Sequence, residues 1–282
     1  MNPYAAFGIA LAGNALLSFG MALQKKNIGF VGRKAARDAA WRRARVGWIA
    51  GFTLMNVVPV FNFAALLGLP ANVVAAVSGS NVAFTAIFSA LLLGEVIPRR
   101  SIIVTTLMFV AIAAAGLRGV EGSGSPATLP VLVFLALPLV LAALALALRR
   151  RWRGPTLAVL LAGIAGALGG FMILPLKILG ALPDPSLALW LTSPWLWLYL
   201  VAGASSFGLL QLAYKDGAMN RVGPGYYGLY LLWPAIASWF VFSLPFDPIQ
   251  AAALAAIAAS VVLIAGTGEE EAKVAAGVKP RR

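Results

Sequence analysis

Nine apolar runs, most of them long enough to cross a bilayer core, leave this 282-residue chain few ways to fold. They cover residues of about 3–24, 47–67, 70–93, 101–117, 129–148, 155–179, 193–214, 222–243 and 248–266. A hydrocarbon core roughly 30 Å thick needs about 20 such residues per helix. Hydrophobic residues make up 61% of the chain and charged ones 11%, and the mean hydropathy is +0.90. A soluble domain has roughly 45–50% and 25% of these, so one water-soluble core cannot hide this apolar excess. The chain reads as an all-α integral membrane protein.

The basic residues orient it. Twenty of the 22 Lys and Arg fall on alternate loops or in the tail, from Lys25 to Arg45, at Arg99 and Arg100, from Arg149 to Arg153, at Lys215 and Arg221, and from Lys273 onward. Arg118 stands on the other side and Lys177 lies within a span. The positive-inside rule then puts the N-terminus outside and the C-terminus in the cytoplasm of a plasma or inner membrane, which an odd number of spans requires. The net charge of +13 is thus a topology signal with an affinity for anionic lipid, and no nucleic-acid partner is expected. The first span lacks the charged start and small-residue cleavage site of a signal peptide.

Two absences restrict the chemistry. Without Cys there is no disulfide or thiolate site, and without His there is no imidazole relay or Ser–His pair. The nine acidic residues form no DDxxD-like cluster, so no enzyme and no resident cofactor are expected.

Sliding the chain by 151 residues sets Leu17, Met21, Leu23, Lys26 and Gly29 on Leu168, Met172, Leu174, Lys177 and Gly180. Trp48 then falls on Tyr199 and Phe63 on Tyr214. This predicts one transmembrane domain over 1–282, with spans 1–4 (about 1–118) and 6–9 (about 155–268) as two repeats. Span 5 (about 129–148) joins them and a tail covers about 267–282. Five spans separate equivalent helices, an odd number, so the second repeat is inverted, as in many secondary transporters.

Lys177 is the sharpest anomaly. It stands late in span six after Pro175, behind the glycine-rich run Gly163–Gly170. A lysine at mid-membrane costs roughly 2.5–3.5 kcal/mol, which snorkelling lowers near a helix end. It is either a counter-charge for substrate or an interfacial anchor. Pro175 removes a helix hydrogen bond and is a candidate hinge or gate, or a kink that serves packing alone. Span three carries Ser78, Ser80, Asn81 and Thr85, on which Asn14, Ser18, Asn56 and Asn62 can converge. The equivalent part of span eight carries Tyr226, Tyr227, Tyr230 and Trp233, with Gln211 and Tyr214 entering from span seven. These amides and rings suit a small organic solute or a cation; the plainer reading is hydrogen-bond glue between helices. Glu95, which ends span three, is either a partner for Arg99 or Arg100 or part of a gate.

Short motifs in chain order resemble the drug/metabolite transporter superfamily, and within it the NIPA-like magnesium transporter branch. They are Leu23-Gln24-Lys25-Lys26, Trp48-Ile49-Ala50-Gly51, Asn62-Phe63-Ala64-Ala65, Pro70-Ala71, Glu95, Gly166-Ala167, Lys177, Gly180 and Gln211-Leu212-Ala213-Tyr214. The resemblance implies a nine-helix carrier working by alternating access, and for that branch Mg²⁺ as substrate. The chain has Pro59 where the branch has an acidic residue, and Mg²⁺ prefers carboxylate ligands. A small solute of unspecified kind is therefore the first expectation. Mg²⁺, a lipid-linked or amphipathic anion, and a non-transporting scaffold or subunit are the alternatives. The partners expected are membrane lipid and the solute, with the assembly left open between monomer and homodimer.

Overall fold

A computed structural model describes residues 1–29, 39–69, 71–117, 128–148, 154–180, 187–241 and 247–275. Among these residues there are twelve helices and no strand: α1 (Pro3–Lys26), α2 (Ala39–Leu66), α3 (Ala71–Val77), α4 (Ser80–Leu93), α5 (Arg99–Leu117) and α6 (Thr128–Leu148). Then follow α7 (Pro155–Phe171), α8 (Ile173–Gly180), α9 (Leu187–Thr192), α10 (Pro194–Asp216), α11 (Met219–Val241) and α12 (Pro248–Ala275).

Among the described residues six segments are long and apolar enough to cross a membrane: α1, α2, α5, α6, α10 and the run Pro155–Leu176. Ser80–Leu93 and Pro248–Ile264 are shorter apolar helices. The chain is a multi-pass membrane protein. Two of the predicted spans prove to be broken: the third divides into α3 and α4, and the sixth into α7 and α8. α2 begins at Ala39, so Arg42, Arg43 and Arg45 extend a helix rather than a loop, with the Arg45 guanidinium 5.5 Å from the Trp41 ring.

Local sequence explains where helices start. α1, α7, α10 and α12 each begin on proline, whose missing N–H belongs to the unpaired first turn. Asn2 accepts from Tyr4 N–H at 2.9 Å, Ser193 from Trp195 N–H at 3.4 Å, and Asp247 from Ile249 N–H at 2.8 Å. Each of these side chains satisfies a donor that the helix cannot.

α1 packs along α2 and α4, α7 along α10 and α11, and α5 along α12. Of these six segments the one containing α7 is the most deeply buried and α2 the least covered. The close crossings depend on glycine. A Cβ on Gly51 would lie 2.5 Å from Gly20 O, and one on Gly166 would lie 2.0 Å from Tyr226 O. The small-residue face expected of span six is thus where α11 lies against α7. α6 rests on α7 and α11, and Trp233 Nε1 donates to Phe134 O at 2.9 Å.

Gly166→Val should lower the unfolding midpoint of the detergent-solubilised protein by about 1–3 kcal/mol equivalent, the usual penalty of overpacking. Gly8→Val, with nothing within 4 Å of its added Cβ, is the control and should leave the midpoint nearly unchanged.

Candidate functional site

A cavity of about 640 Å³ lies between α1, α2, α7, α8, α10 and α11, reaching the break between α3 and α4. The break explains itself atom by atom. Asn81 N–H donates to Ser78 O and Val82 N–H to Gly79 O, each at 3.1 Å, in tightened turns. Asn81 N–H therefore does not serve Val77 O, its ordinary α-helical partner. Asn14 Nδ2 on α1 serves it instead, at 2.9 Å, and also donates to Ser80 Oγ at 3.1 Å. Asn81 Nδ2 returns a bond to Asn14 Oδ1 at 3.2 Å. Ser18 Oγ donates to Asn81 O at 3.2 Å, and Thr85 Oγ1 to Ser18 Oγ at 3.4 Å. Gly79 lets α5 come close to the break, because a Cβ there would meet Ile112 Cγ2 at 2.8 Å.

The second break also has a cause in sequence. Pro175 has no N–H for Phe171 O, and α7 stops at Phe171. Met172, Ile173 and Leu176, around this break, line the cavity. Pro175 itself is buried. Lys177 follows Leu176 in α8; its side chain lies outside the described residues.

Asn56, Asn62, Ser78, Asn81, Tyr226 and Tyr227 all line the cavity. Asn56 Nδ2 is used locally, donating to Phe52 O at 2.8 Å. Tyr226 meets Tyr227 edge-on at 5.3 Å and stacks on Tyr230 at 5.8 Å. Tyr227 Oη donates to Met21 Sδ at 2.9 Å, tying α11 to α1. Gly169 leaves the room in which Tyr226 Oη and Ser206 Oγ lie, since an added Cβ would stand 2.8 and 3.1 Å from them.

Other sequence candidates lie elsewhere. Ser80 is buried in the Asn14 cluster behind the lining. Trp233 stands about two turns beyond Tyr226, where α6 crosses. Gln211 and Tyr214 form a layer past one end of the cavity, with Tyr214 fully buried. There Trp48 Nε1 donates to Gln211 Oε1, and Gln211 Nε2 to Gln24 Oε1, both at 3.0 Å. Phe207 packs edge-on against Trp48 at 5.8 Å and Phe52 at 5.4 Å, joining α10 to α2. Glu95 follows Gly94, whose left-handed φ of 66° ends α4. Its carboxylate accepts from Met219 N–H at 2.7 Å and Asn220 N–H at 2.9 Å, at the start of α11.

Sequence reasoning missed Tyr199, Ser206 and Phe207, which also line the cavity. Tyr199 carried a signal in its alignment with Trp48, and Ser206 was a polar residue in an apolar span. Among the described residues no group of three or more Asp, Glu, His or Cys is placed to hold a metal ion. Comparison with protein-family models, with curated proteins and with solved structures finds no match.

Asn14→Leu strands Val77 O and the Asn81 amide in apolar surroundings, and should cost about 1–3 kcal/mol of stability. Ser18→Ala removes the longer bonds to Asn81 O and from Thr85 Oγ1, at 3.2 and 3.4 Å, and should cost less. Chemical unfolding of the two variants in the same detergent compares them; equal losses would refute the ranking.

Proposed function

We propose that the chain is a secondary transporter of the drug/metabolite transporter type, moving a small organic solute by alternating access. The observation that carries this reading is a mainly apolar cavity, set with amides, hydroxyls and tyrosine rings, between the helices of the two halves and beside two broken helices. Non-helical backbone is tolerated at membrane depth only where protein or water covers it, and carriers place their sites at such breaks.

Counting α3 with α4 and α7 with α8 as single spans, and α9 as a connecting turn, gives nine. A shift of 151 residues then superposes α1 on α7 and α8, α2 on α10, α3 and α4 on α11, and α5 on α12. The packing follows the same correspondence. α1 lies against α2 and α4 as α7 lies against α10 and α11, and two equivalent pairs, α5 with α12 and α4 with α11, touch each other. This pattern supports inverted repeats about an axis through those pairs. By charge, the end bearing Lys25, Lys26 and Lys215 faces the cytoplasm and the cavity approaches the outer face.

Asparagine amides, serine hydroxyls and tyrosine rings are the polar groups of the described lining, and it contains no carboxylate. Such a set suits hydroxyl, amide or aromatic groups of an organic solute better than Mg²⁺, which holds its water and seeks carboxylate oxygens. An amphipathic anion becomes the better reading if Lys177 proves to face the cavity.

Purified protein is screened against amino acids, nucleosides, sugars, organic amines and Mg²⁺ for thermal stabilisation, and each hit is then followed as flux into proteoliposomes. One organic class should bind and cross saturably, and Tyr230→Ala or Asn62→Ala should cut its flux by about tenfold, a loss of roughly 1.4 kcal/mol. Dye-reported Mg²⁺ entry that depends on protein, with Lys177→Ala alongside, would transfer the substrate to Mg²⁺. Folded protein that neither binds nor moves any of these solutes would overturn the carrier reading in favour of a scaffold.

A further inference from the structure

The cavity is not centred along the helices. On α2 its lining runs from Phe52 to Leu66 and on α10 from Tyr199 to Leu210, leaving out the ends of both that approach Lys25. Beyond it lies the Gln24–Gln211–Trp48 layer, and beyond that a pair of charged contacts. Lys25 Nζ donates to Tyr214 O at 2.5 Å and to Gly217 O. Glu95 accepts from the amides of Met219 and Asn220, and Asn220 Nδ2 donates to Val96 O at 3.1 Å.

Lys25 and Glu95 both belong to the first half of the chain. Their partners are backbone groups flanking one turn of the second half, Gly217–Ala218 between α10 and α11. The signs match the helices. An ammonium sits on the last carbonyls of α10, where the helix dipole is negative, and a carboxylate on the first amides of α11, where it is positive. These are charge-assisted bonds, about twice as strong as neutral ones. They are made by side chains reaching across an interface, so they can part without taking apart a packed helix pair.

We infer that Lys25 and Glu95 form a latch that holds this end of the carrier closed, by gripping the α10–α11 turn from both sides. The assignment rests on the carrier reading and gives its closed end a release mechanism. Met21 and Leu210 line the cavity one turn before Lys25 and Tyr214, on the same helix faces. An occupant pressing on them acts on the latch directly. The layer between is not fully bonded: Gln24 Nε2 and Tyr214 Oη are buried without a hydrogen-bond partner among the described residues. Unpaired buried groups are unfavourable, so the closed layer holds less stability in reserve than its polar chain suggests.

The test exploits the absence of cysteine, since Ser206→Cys supplies the sole thiol. A membrane-impermeant maleimide is offered from each side of sealed vesicles of known orientation. The latched protein should label only from the side away from Lys25. Adding Lys25→Ala or Glu95→Ala should open labelling from the Lys25 side by about tenfold or more, the shift expected when one charge-assisted pair is lost. Lys25→Gln and Glu95→Gln, which retain hydrogen-bonding groups but no charge, should give smaller gains. Monodisperse variants that label as the parent does would overturn the latch, whatever flux they show. A labelling shift in these variants, together with no flux of any solute by the unsubstituted protein, would leave the latch and overturn the carrier. Hydrogen exchange on the unsubstituted protein gives a reading that needs no variant. Segments 93–97 and 216–222 should open together with one protection factor, and unrelated rates would overturn the proposal.

Discussion

The Asn14 amide, bonded to the Val77 carbonyl, is the contact on which the arrangement of the first half depends. A backbone carbonyl left free in hydrocarbon costs several kcal/mol, so a spanning helix can break only where a partner waits. Asn14 supplies that partner from α1, and Asn81, Ser18 and Thr85 complete the network around it. The bend at Ser78–Gly79, the seat of α4 against α1, and the polar wall of the cavity all follow from this exchange. The second half solves the matching problem differently. Pro175 ends α7 by removing a donor, and tyrosines of α11, lying against glycines of α7, supply the wall.

Much of this was legible in the sequence. Helix limits followed from hydropathy to within a few residues, except where arginines of the first loop continued α2 beyond the apolar run and where α12 ran on to Ala275 through the start of the expected tail. That extension is invisible to an apolar count, because a helix can leave the membrane without ending. The polar cluster on span three and the tyrosines of span eight were visible because such residues are out of place among alanine and leucine. What composition cannot say is which polar residues turn toward each other and which toward open space. Ser80 goes to Asn14 behind the lining, while Ser78 lines the cavity. Trp233 shares a helix face with Tyr226 but stands where α6 crosses, and height along a helix is not written in its periodicity.

The contacts of Lys25 and Glu95 were hidden for another reason. Both grip backbone atoms, and backbone acceptors and donors carry no residue-type signature. A charged residue near a helix end suggests an arginine or a lipid headgroup as its partner. The freed amides of another helix, more than a hundred residues away, offer the same complementarity without leaving any mark in the sequence.

The placement of α7 has a consequence for how the chain is made. It lies in the most deeply buried of the six long apolar segments, yet its main companions, α10 and α11, follow it in the sequence. At roughly 5–20 residues per second, α7 waits on the order of several seconds before they emerge. Of the helices that pack closely on it among the described residues, α6 is the one already synthesised. The connector between the halves therefore serves as the first companion of the helix that the second half closes around. The glycine-rich surface, against which α11 comes to lie, stays uncovered until that helix arrives.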